Sequence, residues 1–69
     1  MTNAQMKILI KKHNELIAKS FDSFKRNNNT KGFAYRMQAV EMLQTLEILG
    51  YKAIWDYENV RITYIYKVA

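Results

Sequence analysis

Between Thr30 and Gly50 apolar residues recur on two sides of what reads as a single helix, and a chain of 69 residues has few ways to cover both. Tyr35, Ala39, Met42, Leu43, Leu46 and Leu49 follow one another at three- and four-residue steps and form one stripe. Phe33, Met37, Val40 and Ile48 form a second, looser stripe, which Arg36, Glu41, Gln44 and Glu47 only partly separate from the first. Thr30 stands where an N-cap is needed, and Gly50 where a helix closes through a left-handed residue, so the helix is expected over residues 31–49. The neighbours such a helix requires are the segment before it, the segment after it, or a second copy of the chain.

The segment before it reads as a second helix, over residues 3–27. Thr2 and Gln5 have capping-box spacing. Met6, Leu9, Ile10, His13, Leu16, Ile17, Ser20, Phe21 and Phe24 then fall within an arc of about 140°, with a lysine-rich face opposite. Asn27 to Thr30 is an Asn-Asn-Asn-Thr turn whose residues tolerate left-handed conformations, and so short a turn folds the two helices back as an antiparallel hairpin. Glu15 can reach Lys11 and Lys19, and Asp22 can reach Lys25 and Arg26, at helical neighbour spacing.

After Gly50 the apolar period changes from 3.6 to 2, predicting strands over residues 51–57 and 60–68. A tight turn at Glu58-Asn59 would pair Tyr57 with Val60, Trp55 with Ile62, Ala53 with Tyr64 and Tyr51 with Tyr66, all on one face, and set Asp56 opposite Arg61 on the other. The expected architecture is α+β: an antiparallel helical hairpin followed by a C-terminal two-stranded β-hairpin (ααββ), one domain over residues 1–69. A homodimer is expected, either through the open edge of the last strand, giving a continuous sheet, or through the second stripe of the helix.

Composition narrows the functions this fold can carry. Cysteine is absent and histidine occurs once, which excludes disulfides and clustered metal ligands; no cofactor is expected. A domain this small is marginal without a dense core or a partner subunit, and 49% hydrophobic residues permit the former. The longest apolar run near the start, Ile8 to Ile10, is too short for a secretion signal or membrane span, so a cytoplasmic, complete small protein is expected. Eleven basic against six acidic residues give a net charge of +5, a bias toward polyanions or acidic protein surfaces.

Residues able to do chemistry are scattered. His13 lies in the apolar arc of the first helix with only Ser20 as a polar neighbour on that face, the position of a packed histidine; at a subunit seam it would make assembly pH-sensitive. No carboxylate pair, phosphate loop or nucleophile motif is present, so no enzymatic activity is expected. Lys25, Arg26, Lys31 and Arg36 instead surround the turn where the second helix begins, Gly32 would let an anion approach the backbone, and Lys12, Lys19 and Arg26 form a row at seven-residue spacing. These six predict a regulatory module that contacts DNA or RNA. The alternative is a small inhibitor or adaptor of the kind phages encode, meeting an acidic protein through the sheet edge and through Tyr57 and Tyr66, the tyrosines nearest the sheet ends.

Overall fold

The computed structural model describes residues 1–68, and in it the chain runs α1 (Asn3–Lys25), α2 (Asn29–Ile48), β1 (Tyr51–Asp56) and β2 (Arg61–Lys67), the expected ααββ order. The start of α1 has the reciprocal capping box: Gln5 N–H donates to Thr2 Oγ1 at 3.1 Å, and Thr2 N–H to Gln5 Oε1 at 2.8 Å. Its end is earlier than expected. Asn27 takes φ 61°, and the N–H groups of Asn27 and Asn28 return to Phe24 O at 3.0 Å and Ser23 O at 2.8 Å, a Schellman closure with asparagine in the left-handed position.

Asn28, rather than Thr30, caps α2, its side-chain oxygen accepting from Lys31 N–H at 3.3 Å. Two adjacent asparagines therefore do all the work of the turn, one closing a helix and the next opening another. Thr30 falls inside the first turn. At the far end Gly50 has φ 88° and its N–H returns to Glu47 O at 3.0 Å, the expected closure.

The helices pack antiparallel, and the β-hairpin lies across one side of them, β2 against α1 and β1 against α2. Leu46, Ile62 and Ile65 form the buried centre, with Met6, Leu9, Ile10, Met42, Leu43, Tyr51, Ala53 and Trp55 packed around it. The sheet covers only the half of the helical hairpin that holds the N-terminal turns of α1, so the molecule is elongated, 42 × 22 × 19 Å. In the other half Gly32 lies directly under Phe24: a Cβ there would sit 2.7 Å from the ring. The helices can approach there because residue 32 has no side chain. This closes the anion approach expected at Gly32.

The register of the hairpin holds near the turn and breaks below it. Trp55 faces Ile62 and Asp56 faces Arg61 as expected, with Arg61 Nε 3.5 Å from Asp56 Oδ2. Between Ile54 and Trp55 the pairing shifts by one, so that Ile54 faces Tyr64, Ala53 faces Ile65 and Lys52 faces Tyr66. The residue left over is Thr63, and the bulge turns the rest of β2 over. Ile65 goes to the core, while Tyr64 and Tyr66 go to the outer face at 57% and 39% exposure. Burying two phenol groups without partners would cost more than burying one isoleucine gains, and the bulge avoids it.

The connection is longer than the two-residue turn, spanning Tyr57 to Val60. Asn59 donates its backbone N–H to Asp56 Oδ1 at 3.3 Å and its side-chain amide to Oδ2 at 2.8 Å. Those hydrogen bonds first, then Arg61, hold the Asp56 carboxyl below its ordinary range. The left-handed position falls on Val60, φ 52°, not on Asn59. A β-branched residue there is strained by about 1–2 kcal/mol. Val60→Gly is expected to raise stability by about 1 kcal/mol after the entropy cost of glycine is deducted. In thermal unfolding a domain of this size then gains about 4–8 °C.

The edge expected to be open at β2 is occupied at Ile62. Asn14 of α1 reaches Ile62 with its whole amide, Nδ2 donating to Ile62 O and Oδ1 accepting from Ile62 N–H, both at 2.9 Å. A second strand cannot pair at Ile62 without displacing Asn14. The start of the β2 edge, at Ile62, is therefore taken by α1.

Candidate functional site

The hydrogen bonds of Asn14 also define the state of His13. Because Oδ1 of Asn14 is already an acceptor for Ile62 N–H, His13 Nδ1, 3.1 Å from the same oxygen, must carry its proton and donate. Nε2 is then a bare lone pair, buried and without a partner. The ring meets Trp55 edge to face, centroids 5.3 Å apart, within the chain and not at a surface seam. The assembly-coupled role for His13 thus has no place to act. Ser20, the other polar residue on that face, donates its hydroxyl to Ile17 O at 2.7 Å and is satisfied within its own helix.

Burial pushes the imidazole below its ordinary value of 6.5, and the contact with Asn14 offsets only part of this. The sign of the linkage follows. The unfolded chain protonates near pH 6.5 while the folded chain stays neutral, so stability is full above pH 6.5 and falls as the pH drops toward the folded value. Urea midpoints measured from pH 7.5 to 5 are expected to decline, and His13→Gln is expected to flatten that part of the profile.

The basic residues divide into two groups. Lys19, Arg26 and Lys31 line one cleft of about 610 Å³ at the start of α2, together with Tyr35, Asn28 and Ser23. The Lys19 ammonium lies 5.8 Å from the centre of the Tyr35 ring. Lys12 continues the row two turns back along the same side of α1. Asp22 belongs to the same cleft and holds Arg26, Nε to Oδ2 at 3.2 Å, an exposed pair of little energetic weight.

Arg36 does not join them. Its guanidinium packs over Phe21, 5.3 Å from the ring centre, with Nε buried. Lys25 is exposed about a quarter-turn of α1 away from the row. Four of the six expected cations therefore share a face, and two do not. Tyr35, which sequence reasoning assigned to the core stripe, is the residue missed: it stands one turn after Lys31 on α2, where a half-buried ring can border the cleft.

The two tyrosines named as partner contacts do not meet. Tyr57 stands at the hairpin tip, 84% exposed and stacked on Trp55 at 6.3 Å, whereas Tyr66 is on the outer sheet face beside Tyr64. A further surface had no expectation attached to it. An open groove of about 830 Å³ runs between the first turns of α1 and the last turns of α2, lined by Ile8, Leu9, Met42, Leu46 and Leu49 and closed at its end by Met1 and Tyr51. The N-terminal amine donates to the Tyr51 hydroxyl at 3.3 Å. Ile8, which looked like a stray among lysines, is one of its walls.

Among the described residues no group of histidine, aspartate and glutamate is placed to hold a metal ion, and no helix is long and apolar enough to cross a membrane. Comparison with known protein families, with curated proteins and with solved structures finds no match to this chain.

Proposed function

We propose that the chain is a small non-enzymatic binding module that contacts DNA or RNA through one face of its helical hairpin. The observation that carries this reading is the cleft at the start of α2, where Lys19, Arg26 and Lys31 converge beside the Tyr35 ring. Cations that converge on one cleft suit a phosphate backbone, and an aromatic ring beside them suits an unpaired base. Lys12 extends the face along α1.

The test is a titration against duplex DNA, single-stranded DNA and RNA at two salt concentrations. Each phosphate contact contributes about 0.9 to the logarithmic salt slope on duplex DNA. Replacing Lys19, Arg26 and Lys31 together by glutamine is expected to lower that slope by about 3. Asp22→Asn has the opposite sign, since it frees Arg26, and is expected to tighten binding. Absence of binding at low salt removes the reading.

A second reading is favoured by the apolar groove formed by Ile8, Leu9, Met42, Leu46 and Leu49. A protein ligand with apolar anchors and acidic flanks would fill it, as an inhibitor or adaptor interface does. Such binding persists at moderate salt and is lost with Ile8→Lys, which leaves the basic cleft untouched.

A further inference from the structure

The second stripe of α2 remains uncovered. Phe33, Met37, Val40 and Ile48 are 62%, 53%, 37% and 85% exposed, and they lie on the side of α2 opposite the buried Ala39 and Leu46. We propose that this stripe is the contact between two copies of the chain, packed with their α2 helices antiparallel about a two-fold axis.

The area is sufficient. The four side chains expose roughly 400 Å² of mostly apolar surface, within the ~300–600 Å² of the largest patch on a typical monomer. Two copies bury about twice that, and at the ~65% apolar share of a homodimer interface the total reaches about 1,200 Å², the lower bound of a stable contact. A weak, micromolar dimer is the expected outcome.

The antiparallel orientation gives both Arg36 and Glu47 a partner. Arg36 and Glu47 lie on the same flank of the stripe, eleven residues apart, and their midpoint falls within one residue of the midpoint between Phe33 and Ile48. Antiparallel packing keeps like flanks together, so Arg36 of each copy comes opposite Glu47 of the other, twice over. Parallel packing brings opposite flanks together, which sets Arg36 against Glu41 five residues on and leaves Glu47 without a partner. Arg36 is already turned to its flank, held over Phe21. Glu41, on the other flank near the axis, approaches its own copy and keeps the association modest.

The symmetry has a consequence for the basic cleft. Lys31 and Tyr35 lie on the side of α2 away from the stripe, so the axis of an antiparallel pair, which runs across the helices in the plane between them, turns the two clefts outward on opposite faces of the dimer. Lys31 is ten residues from the centre, which separates the two clefts by about 30 Å along the helices at 1.5 Å per residue. The dimer itself stands without the nucleic-acid reading.

Sedimentation equilibrium over about 5–500 μM tests the contact, with nucleic acid absent so that its result is separate from the binding reading. The wild-type chain is expected to rise from its 8.2 kDa monomer mass to twice that value. Val40→Glu, on an exposed position, is expected to remain monomeric throughout with an unchanged circular dichroism spectrum. Arg36→Glu and Glu47→Arg are each expected to weaken association at least tenfold, and the double variant to restore it. A wild-type chain that stays monomeric overturns the proposal and leaves the stripe to another protein. So does a dimer that Val40→Glu does not disturb. A double variant no better than the singles overturns the antiparallel arrangement.

Discussion

Asn14→Ala is expected to cost this domain about 2–5 kcal/mol, because it leaves the N–H and C=O of Ile62 without partners at a part-buried site, at about 1–3 kcal/mol each. It also removes the oxygen to which His13 Nδ1 donates. A domain of this length has about 4–10 kcal/mol of stability in all, so the variant is at or near unfolding. Urea unfolding at pH 7 reads the loss directly. Lys11→Ala, on the exposed face of the same helix, serves as the control and is expected to change stability by less than about 0.5 kcal/mol. The effect is large because Asn14 is the polar link between α1 and the sheet: it reaches across 48 residues of sequence to the backbone of β2.

The second large effect distinguishes two adjacent residues. Ile65→Ala is expected to cost about 2–5 kcal/mol by opening a cavity beside Leu46 and Ile62, whereas Tyr64→Ala is expected to stay within about 1 kcal/mol. An unbroken alternation along β2 would predict the reverse order. The comparison therefore reads the bulge at Thr63 through stability alone, and chemical denaturation of the two variants side by side is sufficient.

These two residues also mark where sequence reading works and where it stops. The helices were legible because their signals are local: Thr2 and Gln5 announce a capping box, and the apolar arc of α1 is single and wide. The end of α2 was legible for the same reason, since a glycine following a periodic run has one obvious use. The turn was legible only as a region, because in Asn-Asn-Asn-Thr every residue is a competent cap and the geometry of Asn27 decides among them. The bulge left no local mark. Ile62, Tyr64 and Tyr66 satisfy a period of 2, and only the requirement that phenol groups keep their hydrogen bonds favours Ile65 in the core.

Asn14 was invisible for a different reason. It stands at the border of the apolar arc, where an asparagine on a helix ordinarily faces solvent, and its partner lies at the other end of the chain. For the basic residues, periodicity located the row of Lys12, Lys19 and Arg26, and the turn brought Lys31 beside it. Arg36 was grouped with them by closeness in sequence, yet at helical spacing it points to the other side, where Phe21 takes it.

The proposed contact with nucleic acid is tested most directly by two-dimensional amide spectra recorded while DNA or RNA is added at low salt. Changes confined to Lys12, Lys19, Arg26, Lys31 and Tyr35 and their immediate neighbours, reversed by added salt, are the predicted result. An unchanged spectrum at saturating nucleic acid, or changes centred on Tyr64 and Tyr66 or on the groove at Ile8 and Leu49, would contradict it.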